Sequence, residues 1–243
     1  MPDPLFDEPR LAEIYDALDT DRRDLDAYVA AIQELSARSV LDVGCGTGVL
    51  ACQLAAGGIE VTGVDPAAAS LEVARRKPHA GDVTWVLGDA TRLPADLQVD
   101  MATMTGNVAQ AIVSDQDWSA TLQGIRGALR PTGTLLFETR DPAQRAWTHW
   151  NREETYRQTA IPQVGTVTSW CELLKVSDEL VSFRWTYVFA ADAGVLTSDS
   201  TLRFRSRDLV TRTLSEAGFA VEQVRDAPDR PGLELVFVAR VSR

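Results

Sequence analysis

A chain of 243 residues with 45% hydrophobic residues can bury one sizeable core, which excludes a disordered protein. Its 35 acids outweigh 24 basic residues, and the formal net charge of -11 argues against a nucleic-acid partner held by clustered Lys and Arg. No apolar run reaches membrane-spanning length, the start Met1-Pro2-Asp3-Pro4 lacks the pattern of a signal peptide, and Cys45, Cys52 and Cys171 have no metal-ligand spacing. A cytoplasmic protein with no membrane partner and no metal is therefore expected.

Residues 1–9 carry Pro2, Pro4 and Pro9 and are expected to form an irregular arm. A helix is predicted over 10–18 from Leu11, Ile14, Tyr15 and Leu18. A second is predicted over 22–36 from Leu25, Tyr28, Val29, Ile32 and Leu35. Residues 40–43 then read as a buried strand, 44–48 as a glycine turn and 49–56 as a helix. A strand over 59–64 closes at Asp65-Pro66, and a helix over 67–77 stops at Pro78. Next come a strand over 83–87, the turn Gly88-Asp89-Ala90 and a strand over 99–105. A helix over 115–129 has an acidic first turn and Arg126 near its end, as the helix dipole prefers, and a fifth strand covers 133–139.

This alternation predicts a parallel sheet covered on both faces. Right-handed crossovers bring the strand C-termini to one edge, where ligands of open α/β sheets bind. The turn 44–48, Asp65, Asp89 and Thr105-Gly106-Asn107 all fall there.

After Asp141 the pattern changes. A short helix is predicted over 142–150, then three strands over 166–176, 179–190 and 195–205 without helices between them. The middle one alternates Val181, Phe183, Trp185, Tyr187 and Phe189. Ser206 is placed to cap a helix ending before Gly218, and strands over 219–226 and 233–241 close the chain. The organisation expected is an N-terminal helical lid (1–38), an α/β domain (39–141 and 206–243) and an antiparallel insertion (142–205). The insertion would serve as acceptor cover or dimer contact.

The glycine turn narrows the ligand. Counting from Gly44, the last glycine of a dinucleotide fingerprint would fall at Val49, and no Gly-Lys-Ser/Thr follows as in a phosphate loop. The run Val40-Leu41-Asp42-Val43-Gly44-Cys45-Gly46-Thr47-Gly48 instead resembles the nucleotide-binding motif of class I S-adenosylmethionine-dependent methyltransferases. The resemblance covers about residues 39–139. It implies a Rossmann-like, seven-stranded, mostly parallel sheet and S-adenosyl-L-methionine as cofactor.

The cofactor-binding residues it implies are Asp42, Gly44, Cys45, Gly46 and Gly48, with Asp65 and Pro66 at the ribose, Asp89 and Ala90 at the adenine, and Met104 and Thr105 at the methionine end. Asp65 and Asp89 taken singly read equally well as helix N-caps. The first two helices resemble a lid, from which Tyr15 would reach the reaction centre and Arg22 or Arg23 the cofactor carboxylate. Tyr15 also lies on an apolar face, as a core tyrosine does.

No Asn/Asp-Pro-Pro-aromatic motif follows strand four, which counts against chemistry on nucleic-acid or glutamine nitrogens. Asn107 and Gln110 either face the substrate or cap the next turn. Glu138 or Asp141 would orient or deprotonate an acceptor and Arg140 would bind an acidic one, unless they form a local ion pair. A histidine base would suit an O-methyltransferase and His149 is the candidate, although a lone histidine is often structural. Trp185 walls a pocket or packs a core.

The function expected is in-line transfer of a methyl group to O or N of a small organic molecule by a monomer or homodimer. In such a transfer alignment and desolvation carry much of the catalysis. A protein or RNA methyltransferase and a non-catalytic cofactor-binding protein are the alternatives.

Overall fold

The apolar run at Ser39 becomes the centre of a sheet in a computed structural model that describes residues 2–22 and 24–242. Three helices precede it: α1 (Pro4–Asp7), α2 (Pro9–Leu18) and α3 (Asp24–Glu34). The α/β part follows as β1 (Ser39–Val43), α4 (Val49–Ala56), β2 (Glu60–Asp65), α5 (Ala68–Ala74), β3 (Val83–Leu87), β4 (Val99–Met104), α6 (Val108–Ala111), α7 (Asp115–Ala128) and β5 (Leu129–Arg140). The insertion comprises α8 (Arg152–Thr155), β6 (Arg157–Ile161), β7 (Gly165–Ser177), β8 (Leu180–Phe189) and β9 (Gly194–Arg203). The chain closes with α9 (Arg207–Glu216), β10 (Phe219–Asp226) and β11 (Glu234–Val241).

The seven-stranded sheet runs β3-β2-β1-β4-β5-β11-β10. β1 pairs in parallel with β2 and β4, which sets Asp42 opposite Gly63 on one side and Thr103 on the other. β3 and β5 extend the parallel part, and β11 enters antiparallel between β5 and β10. Successive side chains of a strand alternate between faces. Leu41 accordingly joins Met104, Trp118, Leu122, Phe137 and Leu214 on one face. Val40 joins Leu25, Tyr28, Ile32, Leu50 and Leu54 on the other. Each such large apolar side chain stabilises by about 1.5–3 kcal/mol when buried, so both faces need their helices.

A third, smaller core joins lid to insertion: Leu11 and Ile14 of α2 pack on Ile161, Val167, Tyr187 and Phe189. The aromatics of β8 thus fill cores rather than line an open wall, with Val181 packed against Trp147 and Phe204 in a fourth cluster. Trp185 is half-buried beside the lid and stacks on Tyr187, with centroids 6.2 Å apart.

The structure departs from expectation in four places. The arm is helical over Pro4–Asp7, because a proline at the first helical position loses no hydrogen bond there. The segment after Asp141 is two 3₁₀ turns, Pro142–Gln144 and Ala146–His149, separated by Arg145 at φ 48°. β5 starts earlier, at Leu129, and its pairing with β4 shifts register between Val99 and Met101. The insertion sheet has four strands, β6-β7-β8-β9, because the polar edge strand β6 gave no hydrophobic alternation to read.

Candidate active site

The glycine turn leaves β1 with Gly44, Gly46 and Gly48 at φ 69°, 52° and 75°, a left-handed conformation that side chains disfavour. The amides of Gly44 and Cys45 donate to the Val64 carbonyl at 2.8 and 3.2 Å, pinning the turn to β2. A Cβ on Gly44 would collide with Val108, whereas one on Gly46 would meet no atom within 4 Å. The open side of the turn is therefore at Gly46.

Asp65 closes that side. Its carboxylate accepts from the Gly46 and Ala67 amides, each at 2.8 Å. Asp42 lies fully buried beneath the turn and accepts from the Thr103 hydroxyl at 2.9 Å. Burial pushes its pKa up to about 7 against the Thr103 hydrogen bond, and the Asp65 charge adds to the rise. Burial also raises Asp65, with its two backbone donors opposing. The same burial, with both acids nearby, raises the Cys45 thiol, away from the thiolate that a nucleophile needs.

At the end of β3, Asp89 is exposed and caps the turn Ala90–Arg92 by accepting from the Thr91 amide at 2.8 Å. Ala90 is buried, and α7 reaches its carbonyl only because position 124 is glycine. Leu87, 60% exposed, pairs in register with Asp65. An open glycine turn, two buried acids without an ion pair among the described residues, and an exposed leucine beside an exposed acid fit a cationic nucleoside. S-adenosylmethionine, with its sulfonium and adenine, is such a molecule. The lid is clasped to this turn: the Thr47 hydroxyl donates to Asp16 of α2 at 2.6 Å, and Lys77 bonds the same carboxylate.

A second polar group gathers beyond the ends of β4 and β5. Met104 is core, Thr105 is half-buried, and Asn107 turns the chain at φ 62°. The Asn107 amide N–H donates to Glu138 Oε1 at 2.6 Å, and the Tyr28 hydroxyl of α3 donates to Glu138 Oε2. Asn107 Nδ2 donates to Glu234 Oε1 at 3.1 Å, and Arg230 donates to the same oxygen at 2.7 Å. Arg140 lies 3.8 Å from Glu234 and donates through its backbone and guanidinium to Gln110 Oε1 at 3.3 and 3.2 Å.

Glu138, 2% exposed, has its pKa pushed up to about 7 by burial, with Tyr28 and Asn107 opposing and Glu234 adding. Burial and then the Glu138 charge push the Tyr28 hydroxyl well up in turn. Burial lowers Arg140, against the pull of Glu234. Tyr15, half-buried on α2 and tilted against Phe6 at 5.6 Å, is raised by burial with Arg22 opposing. It lies near enough to act on both Arg140 and Tyr187.

The structure thus brings Asn107, Glu138 and Arg140 into one cluster with Tyr15 at its border. It does not bring His149 there: that ring is exposed and bonds Glu154 at 2.6 Å on the surface, which corrects its expected place at a reaction centre. Asp141 caps a 3₁₀ turn through the Ala143 amide at 2.9 Å. Trp185 belongs to the contact between lid and insertion, and Pro66 is an exposed residue after Asp65. Arg22 pairs with Asp24 at 3.3 Å, while Arg23 lies outside the described residues. Sequence reasoning missed Tyr28, Arg230 and Glu234. The signals were a single hydroxyl in the apolar stripe of α3 and a single acid at the head of an apolar strand.

Comparison with known proteins agrees with this geometry. A family model described as a methyltransferase domain matches residues 40–133. A cypemycin N-terminal methyltransferase from a Streptomyces species is 34% identical over 147 residues, which is 59% of this chain and 60% of that protein. A putative methyltransferase from Geobacillus sp. (strain WCH70) is 27% identical over 229 residues, covering 84% of this chain and 85% of the other. The X-ray structure of the sugar N-methyltransferase KedS8 from Streptoalloteichus sp ATCC 53650 superposes with a TM-score of 0.77 at 18% identity, covering 94% of this chain and 93% of that one. With the glycine turn, its flanking acids and the strand order in agreement, residues 40–133 form a methyltransferase domain, and the chain as a whole takes the fold of S-adenosylmethionine-dependent methyltransferases.

Proposed function

We propose that this protein methylates a small organic molecule on oxygen or nitrogen by in-line displacement. The observation that carries the reading is the polar group of buried Asn107 and Glu138 with half-buried Arg140, at the same sheet edge as the glycine turn. α2 joins the two sides of this edge, holding the turn through Asp16 and packing its other face on the insertion. Such a roof suits a small acceptor better than a polymer. The names of two relatives, an N-terminal and a sugar N-methyltransferase, favour nitrogen for those proteins and lend the same reading some support here.

When bound, S-adenosylmethionine supplies a methyl group already activated by a sulfonium. The turn amides, Asp42 and Asp65 hold and offset the cationic donor, and the lid excludes water so that the acceptor is aligned in a dry site. Glu138 is the group placed to take a proton from the acceptor.

Calorimetry with S-adenosylhomocysteine, followed by incubation with methyl-labelled donor and a metabolite pool, tests the proposal. Binding with label in the small-molecule fraction is expected. Label confined to macromolecules would overturn the small acceptor, and binding with no label would overturn the transferase.

A further inference from the structure

Around Glu138, supply and demand of hydrogen bonds do not balance. Asn107 and Gln110, 4% and 1% exposed, each leave one side-chain atom without a partner: the acceptor Asn107 Oδ1 and the donor Gln110 Nε2. Buried orphans of this kind are uncommon and costly. Asn107 bridges two carboxylates, its backbone N–H on Glu138 and its side-chain N–H on Glu234, so the unpartnered Oδ1 belongs to the residue that binds Glu138. Gln110 follows three residues later, on the same side of the short helix.

The two carboxylates are not alike. Glu234 has the guanidinium groups of Arg230 and Arg140. Glu138 has a tyrosine hydroxyl and a backbone amide, and no ion pair among the described residues. The charged or titratable groups facing it are Tyr28 from α3, Glu234 from β11 and, farther off, Arg140 from the end of its own strand.

We infer that the acceptor is an amine bearing an oxygen substituent near its nitrogen, the nitrogen seated between Glu138 and Asn107 Oδ1 and the oxygen facing Gln110 Nε2. This deepens the methyl-transfer reading and rests on it. Two acceptors on hydrogen-bonded residues are met together by a ligand atom that carries two hydrogens; an amine or ammonium nitrogen has them and a hydroxyl has one. An ammonium also supplies the cation that Glu138 lacks, and burial strengthens that pairing.

The step balances. The acceptor enters as an ammonium and passes one proton to the Glu138 carboxylate, leaving a neutral amine. Its lone pair forms the N–C bond to the methyl carbon while the C–S bond breaks, and that electron pair goes to sulfur, giving a neutral thioether. The methylated ammonium departs, and Glu138 releases its proton to solvent. A carboxylate is too weak a base to do the same for an alkanol, so an amine is the acceptor it serves.

The test is deuteromethyl donor incubated with wild-type protein and a metabolite pool, with fragmentation of labelled products to locate the methyl group. Label on nitrogen of oxygen-bearing amines is expected. Label on oxygen, sulfur or carbon overturns the inference while leaving methyl transfer standing; absence of label with homocysteine-nucleoside binding intact overturns the transferase reading itself. On the amine found, Glu138→Gln should lower kcat/KM by about 100-fold or more and flatten the acid limb of its pH profile. Its calorimetric affinity for S-adenosylhomocysteine should be unchanged. Gln110→Leu should raise KM about tenfold with kcat held. A Glu138→Gln enzyme with wild-type turnover and pH profile also overturns the inference.

Discussion

The donor edge proposed at the glycine turn and the acceptor cluster proposed around Glu138 are made in different ways. The donor edge is a local object: three glycines within five residues, an acid two positions before them, and Asp65 receiving the turn's own amide. The acceptor cluster is assembled from Tyr28, Asn107, Glu138 and Glu234, and its hydrogen bonds span up to 127 residues of chain. The first depends on backbone conformation, the second on side chains that only the finished fold brings together. Substitutions should separate them.

The largest effect is expected at Gly44, where alanine combines left-handed strain of about 1–2 kcal/mol with overpacking against Val108 of about 1–3 kcal/mol. Urea denaturation should show that loss in Gly44→Ala, whereas Gly46→Ala, with open space around it, should show the strain alone. Equal losses would mean that the turn is not closed by Val108.

Next comes a pH effect confined to the acceptor cluster. Glu138 rises from an ordinary 4.5 to about 7 in the folded protein, so the fold holds its proton more tightly than the unfolded chain. Its contribution to stability is complete below about 4.5 and is lost as pH rises through about 7. Wild type should therefore lose stability relative to Glu138→Gln over that window, by about 3 kcal/mol, and run parallel to it above. Asp42, raised in the same direction, acts equally in both proteins and cancels from the comparison.

Asp65→Ala should weaken S-adenosylhomocysteine binding by about 1–3 kcal/mol in calorimetry, because the ribose hydroxyls lose their acceptor. The same substitution should leave the Glu138 titration where it was, which keeps the two regions distinct. The smallest effect is expected at His149: exposed and paired only with Glu154, its replacement by alanine should change stability and turnover by less than about 0.5 kcal/mol. A large loss of turnover would return it to the site.

This contrast also explains what could be read in advance. The α/β order, the turn and its acids were legible because period, glycine spacing and caps are local; Ser206 caps α9 through the Leu209 amide as its position implied. Asn107, Glu138 and Arg140 were legible as candidates because they end β4 and β5, where any ligand of such a sheet lies. Tyr28 was hidden because its ring belongs to the apolar stripe of α3, and only the hydroxyl reaches Glu138. Glu234 was hidden because a residue at a strand end carries no sign of its neighbour until β11 pairs antiparallel with β5. His149 misled for the opposite reason: its residue type suggested chemistry, but the 3₁₀ turn that carries it faces solvent.

The central claim is that the turn and Asp65 receive the donor. Amide NMR mapping with added S-adenosylhomocysteine tests it most directly. The Gly46 and Ala67 amides, which donate to Asp65 in the free protein, should show the largest shifts as the carboxylate turns to the ribose, with Gly44, Gly48 and Ala90 close behind. Unmoved Gly46 and Ala67 amides, with shifts gathered at the opposite edge near Thr132, would contradict it.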